Sequence, residues 1–243
     1  DGRPLPACVS DRVQEAGPAS TEPSRAVGPI RSETQDRWSS WLTVERFGGD
    51  EDVRWFDVEP CYVFHPMNAY DDGTTIVIDL VRHHRMFETG RIEAEDNTPT
   101  LDRWTIDLER GTVRESRTDD RAQEFPRVDE RRVGRRHRYG YSVGVGADEL
   151  QGTGLFRHDL DGGTTLNRTF HDGWGVGEFV HVAPDGADEG DGVVMGFIHD
   201  RTADRSELAI LDAATLEDVA AVELPVRIPL GFHGNWVPTA DNP

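Results

Sequence analysis

Thr105-Ile106-Asp107-Leu108-Glu109-Arg110-Gly111-Thr112 reads as a strand ending in aspartate, a tight turn and the start of a second strand, and the chain writes this form three times. Arg157-His158-Asp159-Leu160-Asp161-Gly162-Gly163-Thr164 has the same shape, and so has Ala209-Ile210-Leu211-Asp212-Ala213-Ala214-Thr215. The aspartates fall 52 and then 53 residues apart. Further on, each unit reaches a phenylalanine motif: Glu124-Phe125-Pro126-Arg127-Val128, Glu178-Phe179-Val180-His181-Val182 and Gly231-Phe232-His233-Gly234. A fourth such motif, Phe64-His65-Pro66-Met67-Asn68, precedes the first unit. A repeating four-stranded unit of roughly 40–50 residues is the pattern of a β-propeller blade, and the longer period here implies extended loops. The alternative is a β-sandwich whose Asp-Gly turns happen to be alike, and two coincident periods favour the propeller.

Outward from these units the same texture continues. Short β-type runs alternate with Gly/Asp turns: Cys61-Tyr62-Val63-Phe64, Thr75-Ile76-Val77-Ile78, Arg103-Trp104-Thr105-Ile106, Tyr139-Gly140-Tyr141-Ser142-Val143, Val193 to Ile198 and Glu207 to Leu211. Helical periodicity is nearly missing, so the fold class is all-β. Residues 1–45 differ. They are rich in Pro, Ala, Ser, Glu and Arg, with apolar weight only around Trp38, Trp41 and Leu42. Such a stretch buries too little surface to offset its ordering entropy, and it is expected to be an irregular leader outside the fold. The folded body is expected over 46–243.

The formal charge of −20 argues against nucleic acid, whose phosphates call for clustered Lys and Arg, and against electrostatic docking to anionic lipid. All 26 basic residues are arginine, which speaks to surface chemistry and not to fold. Cys8 and Cys61 lie in unlike contexts without a CxxC pair, so neither a thiolate metal site nor a disulfide framework is expected. No apolar run reaches the length of a membrane span, and the start lacks a signal-peptide pattern. A cytoplasmic protein is expected, with peripheral membrane contact left open.

If the repeat is a blade, equivalent positions of successive blades lie at one radius and height, and inner-strand side chains converge on a common axis. The equivalent positions here are His65, Glu124, Glu178 and His233, at intervals of 59, 54 and 55. A buried charge has to be paired or metal-linked. A metal held by neutral histidines, each donating its other N–H to a carboxylate, would satisfy all four groups together.

These residues also carry a family resemblance. Phe64-His65-Pro66-Met67-Asn68-Ala69-Tyr70-Asp71-Asp72-Gly73 resembles the segment with the third iron-binding histidine of carotenoid cleavage oxygenases, a family that includes stilbene-cleaving dioxygenases and the retinoid isomerase of the eye. Glu124-Phe125-Pro126-Arg127, with Gly134 to Tyr139 after it, resembles a glutamate-bearing stretch of that family, and Glu178-Phe179-Val180 resembles a second. Pro229-Leu230-Gly231-Phe232-His233-Gly234-Asn235-Trp236 is similar to the motif of the last iron ligand. The resemblance implies a seven-bladed propeller with one Fe(II) held by four histidines, three of them backed by glutamates. His65 and His233 would then be metal ligands, and Glu124 and Glu178 their carboxylate partners. The implied reaction is oxidative cleavage by dioxygen of a conjugated carbon–carbon double bond, in a polyene or stilbene held in an apolar tunnel.

The chain departs from the pattern as well. Nothing before Val53 resembles the segments of the first two histidines, so this sequence is expected to be the C-terminal part of such an enzyme: about three blades and a closing strand, inactive as it stands. A propeller remnant that binds a partner or an apolar ligand without iron is the other reading. His83 and His84 follow an apolar strand and are expected at its solvated end. His137, His158, His171, His181 and His199 have no repeat-related partners, and His181 should face away from Glu178. Gly173-Trp174-Gly175-Val176-Gly177 reads as a loop entering a strand.

Overall fold

The computed structural model describes residues 8–11, 40–45, 54–84, 98–146, 152–229 and 231–238. These form fifteen strands and a single 3-10 turn at Glu130–Arg132, all strand pairings being antiparallel. Twelve of the strands fall into three four-stranded meanders. The first, blade A, runs β4 (Pro66–Asp72), β5 (Thr75–Arg82), β6 (Thr100–Asp107) and β7 (Thr112–Asp119). Blade B contains β8 (Gln123–Val128), β9 (Tyr139–Val145), β10 (Gly152–Asp159) and β11 (Thr164–Thr169). Blade C contains β12 (Trp174–Val182), β13 (Val193–Asp200), β14 (Arg205–Asp212) and β15 (Asp218–Glu223). Blades B and C are laced into one sheet through a single residue pair, Gly152 opposite Val176.

The repeated aspartates do one job in each blade. Asp107 Oδ1 accepts from the amides of Glu109 and Arg110, Asp159 Oδ1 from Gly162, and Asp212 Oδ1 from Ala214 and Thr215. Each carboxylate thus closes the turn from third to fourth strand by satisfying amides that the turn leaves unpaired. Those bonds hold all three carboxyls below their ordinary range, Asp159 at about 2 with the Arg138 guanidinium as its main cause.

Among the described residues three apolar clusters hold the blades, the smallest being Met67, Leu101 and Val128 between A and B. Phe56, Ile76, Ile78, Leu80, Trp104 and Ile106 bury one face of blade A. Tyr141, Val143, Leu155, Val176, Phe179, Val194 and Leu211 fill the seam between B and C, where the Tyr141 hydroxyl donates to Ala213 O at 3.0 Å. Each such side chain contributes roughly 1.5–3 kcal/mol when fully buried. Inner strand β8 lies against both β4 and β12, so all three blades meet along their inner strands. Asn68 of β4 reinforces this: it donates to Arg132 O and Arg135 O and accepts from the Gly134 amide, clasping the β8–β9 loop of the next blade.

Three expectations need correction. Residues 1–45 are not irregular throughout: β1 (Cys8–Asp11) and β2 (Ser40–Glu45) form a three-stranded sheet with β3 (Arg54–Val58). The ladder to β3 supplies backbone partners that local composition cannot reveal; residues 1–7 and 12–39 lie outside the described set. Cys61 to Phe64 is not a strand but carries one bridge, Tyr62 to His83. The segment around His233 forms no ladder among the described residues, because its backbone groups are taken by side chains: Gly234 N by Glu178, Gly234 O by Arg127 and Ile228 N by Ser206. Gly173 does end a turn, at φ +84°, and Trp174 begins β12. Among the described residues no helix is long and apolar enough to cross a membrane.

Candidate metal centre

Each inner strand breaks register at or beside a repeat-related residue: β4 between Pro66 and Asn68, just after His65, β8 between Glu124 and Arg127, and β12 between Val176 and Phe179. A bulge turns the side chains around it out of the regular alternation. At β8 the turn is sharp enough to put Phe125 at φ +52°, a left-handed conformation costing roughly 1–2 kcal/mol for a residue with a Cβ. Its amide bonds back to Glu124 Oε2 at 2.6 Å, and its ring lies 5.5 Å from that of His65 and 5.9 Å from that of His233.

The structure brings His65, Glu124, Glu178 and His233 together. His65, just before β4, donates from Nδ1 to Glu124 Oε2 at 2.6 Å. His233 Nδ1 stands 3.3 Å from Glu178 Oε1. Glu178 is also held by Arg127, with Nε 3.0 Å from Oε1 and Nη2 donating to Oε2 at 3.2 Å, and by the Gly234 amide at 2.9 Å. Burial would raise the Glu124 carboxyl, but hydrogen bonds from His65 and His83 outweigh it and hold the group at about 2. Glu124 is therefore an acceptor, and its short bond to His65 favours the tautomer with the proton on Nδ1.

The other two ring nitrogens face each other, His65 Nε2 lying 3.2 Å from His233 Nε2. With both protons committed to carboxylates, two bare lone pairs would point at one spot, an arrangement that calls for a cation between or beside them. Two imidazole nitrogens bound side by side on one first-row divalent ion at about 2.1 Å would stand roughly 3 Å apart, so the donor pair fits such an ion. Neutral imidazole also suits iron among these metals. Among the described residues, no group of three or more His, Cys, Asp or Glu is arranged to hold a metal, so these residues offer two nitrogens and not a full sphere.

His83 was expected in solvent and is not there. It is buried, and its Nε2 donates to Glu124 Oε1 at 2.8 Å. Its backbone pairs with Tyr62 beyond the end of β5, and its ring is covered by Phe64 and Glu124. His84 is exposed. Arg127, bound to the carboxylate of the neighbouring blade, was also missed; its place three residues after Glu124 was the available signal. The remaining histidines have structural partners or none near the site. His137 is buried against Asn68, His158 against Ser142, His181 against Asp191 O and the Tyr141 ring, and His199 accepts from Arg227. His171 is exposed.

Fold and site together define a propeller-type protein with carboxylate-backed histidines where its inner strands meet. The chain belongs to the carotenoid cleavage oxygenase family: the family model described as retinal pigment epithelial membrane protein matches residues 21–238. It is similar to a carotenoid cleavage oxygenase of Mycobacterium tuberculosis, with 47% identity over 208 residues that cover 81% of this chain and 42% of that protein. The crystal structure of Pseudomonas brassicacearum lignostilbene dioxygenase superposes with a TM-score of 0.76 at 25% identity, over 83% of this chain and 47% of that one. A cobalt-substituted Synechocystis apocarotenoid oxygenase superposes with a TM-score of 0.73 at 29% identity, over 83% and 44%. The chain thus spans a little under half the length of these relatives, and the all-β fold is part of their propeller.

Proposed function

We propose that this chain supplies half of the metal site of an Fe(II)-dependent oxygenase that cleaves a conjugated carbon–carbon double bond in a carotenoid, apocarotenoid or stilbene. The observation that carries the reading is the pair of Nε2 atoms facing each other at 3.2 Å, with both Nδ1 atoms turned to carboxylates. Bound Fe(II) would supply the activation of dioxygen. The protein's residues hold and orient: His65 and His233 offer nitrogen lone pairs, Glu124 and Glu178 fix their tautomers, and Arg127 holds Glu178 in place. Phe125, against both imidazoles, keeps water from one side of the pair and offers an apolar surface to a conjugated substrate. Exposed Phe64, Phe232 and Trp236 extend that apolar character along the flanking segments.

Two imidazoles leave most of a metal's coordination to water, so the chain alone binds Fe(II) weakly and does not turn over. The test is anaerobic titration of the chain with Fe(II) or Co(II), following the ring nitrogens of all nine histidines by NMR. Selective perturbation of His65 and His233 at millimolar metal is expected, with no cleavage of a stilbene or carotenoid in air. Perturbation confined to other histidines would overturn the assignment and favour an iron-free propeller segment that binds an apolar ligand or a partner.

A further inference from the structure

We propose that His83 is a positioning residue for His65, acting through Glu124; the proposal rests on reading His65 and His233 as metal ligands. The Glu124 carboxylate takes three donors on its two oxygens: Oε2 accepts from His65 Nδ1 and the Phe125 amide, and Oε1 from His83 Nε2. The first two bonds alone leave the group free to swing about its last torsion, which is broad for a glutamate. The bond to His83 pins the far oxygen. Glu124 is 8% exposed and His83 6%, so water is poorly placed to replace that donor.

His83 is itself fixed from the backbone outward. It pairs with Tyr62 through two bonds of 2.8 Å, and Val81 N donates to His65 O at 3.1 Å, so the His65 and His83 segments are rungs of one short ladder. The Phe64 ring packs edge-on against the His83 imidazole, with centroids 5.1 Å apart. The result is a closed frame: backbone from His65 to His83, side chain from His83 to Glu124, side chain from Glu124 back to His65. Glu178 has an analogous second anchor of different chemistry, the Arg127 guanidinium. Glu124 is thus held on the oxygen away from His65, and Glu178 on both of its oxygens.

The experiment uses the 243-residue chain carrying His83→Met or His83→Gln, with His84→Ala as control. Met fills similar space without a donor; Gln keeps one. In the metal-free chain, nitrogen shifts should show His65 in a single Nδ1–H tautomer in wild type, His83→Gln and His84→Ala, and in mixed tautomers in His83→Met. Apparent Co(II) affinity should fall roughly 10-fold or more in His83→Met and stay within about 3-fold in His83→Gln, the size usual for carboxylates behind metal-bound histidines. A folded His83→Met with one His65 tautomer and unchanged affinity overturns the proposal. If His83→Met does not fold, His83→Gln decides: a single tautomer supports it and mixed tautomers overturn it. Failure of wild type to bind Co(II) at His65 and His233 would instead strike the functional reading, since the tautomer measurement needs no metal.

Discussion

His65 Nε2 and His233 Nε2 come to 3.2 Å of each other although 168 residues of chain separate them. No backbone ladder joins their segments among the described residues. The approach is set by two carboxylates on neighbouring inner strands, Glu124 of β8 and Glu178 of β12, each gripping one imidazole. The pair is therefore as sensitive to the carboxylates as to the histidines.

Removing a ligand should differ sharply from loosening one. His65→Ala and His233→Ala should each abolish the site-specific Co(II) signal, because no neighbouring side chain can replace the lost nitrogen. Glu124→Gln and Glu178→Gln keep volume and an acceptor oxygen but lose the charge that sets the tautomer, and roughly 10- to 100-fold weaker binding is expected. Visible absorption of Co(II) measures all four variants on one scale.

Arg127→Met should free the terminal segment. Arg127 neutralises Glu178, whose side chain is 5% exposed, and it also donates to Gly234 O. Leaving a buried carboxylate without its cation costs about 1–3 kcal/mol, more when the charge persists. Hydrogen exchange at residues 231–238 should rise well above wild type while blade A is unchanged. Arg127→Lys, which loses the two-pronged contact, should fall between.

Stability should decline as pH falls from 6.5 toward 4. Burial pushes His158 from 6.5 down to about 4, and lowers His137 and His181 as well. Such groups stay neutral in the fold while the unfolded chain takes up protons. Their contribution is complete above pH 6.5 and lost as pH approaches the folded value, about 3 kcal/mol for His158 alone. Glu124 adds a second, lower window: its stabilisation is present above about 4.5 and lost toward 2. Urea midpoints across this range should slope upward with pH, and His158→Gln should flatten the slope between 6.5 and 4 whatever its effect at neutral pH.

Gly152→Ala tests the joint between blades B and C. A Cβ there would lie 1.9 Å from Val143 Cγ1 and 2.9 Å from Val176 O. Val143 is fully buried and cannot swing clear. Overpacking of this kind costs typically 1–3 kcal/mol, so a thermal midpoint several degrees lower is expected by calorimetry. Gly146→Ala, which meets nothing within 4 Å, is the matched control.

What could be read in advance follows from what repeats. Asp107, Asp159 and Asp212 marked the same turn in three blades because a short carboxylate closing its own turn is a local device, visible in any one copy. His65, Glu124, Glu178 and His233 were legible because blade geometry converts a sequence interval into a shared radius. His83 was not legible, since its place depends on a lone bridge to Tyr62 and a bond to Glu124 that no repeat interval records. The strands before Val53 were hidden for a related reason: the ladder from β2 to β3 draws on a partner, not on local periodicity.

The bonds that make the site also order its assembly. Strand pairings within a blade join near neighbours, whereas His83 to Glu124 closes 41 residues, His233 to Glu178 closes 55 and His65 to Glu124 closes 59. Longer closures cost more chain entropy and come after local pairing. The blades should therefore form first and the histidine cluster last, so that an ordered pair of imidazoles reports that three separate meanders have docked. A folding intermediate with blades intact and the cluster open would lack the facing pair of imidazole nitrogens, so any ligand that needs both nitrogens has to wait for the docked blades.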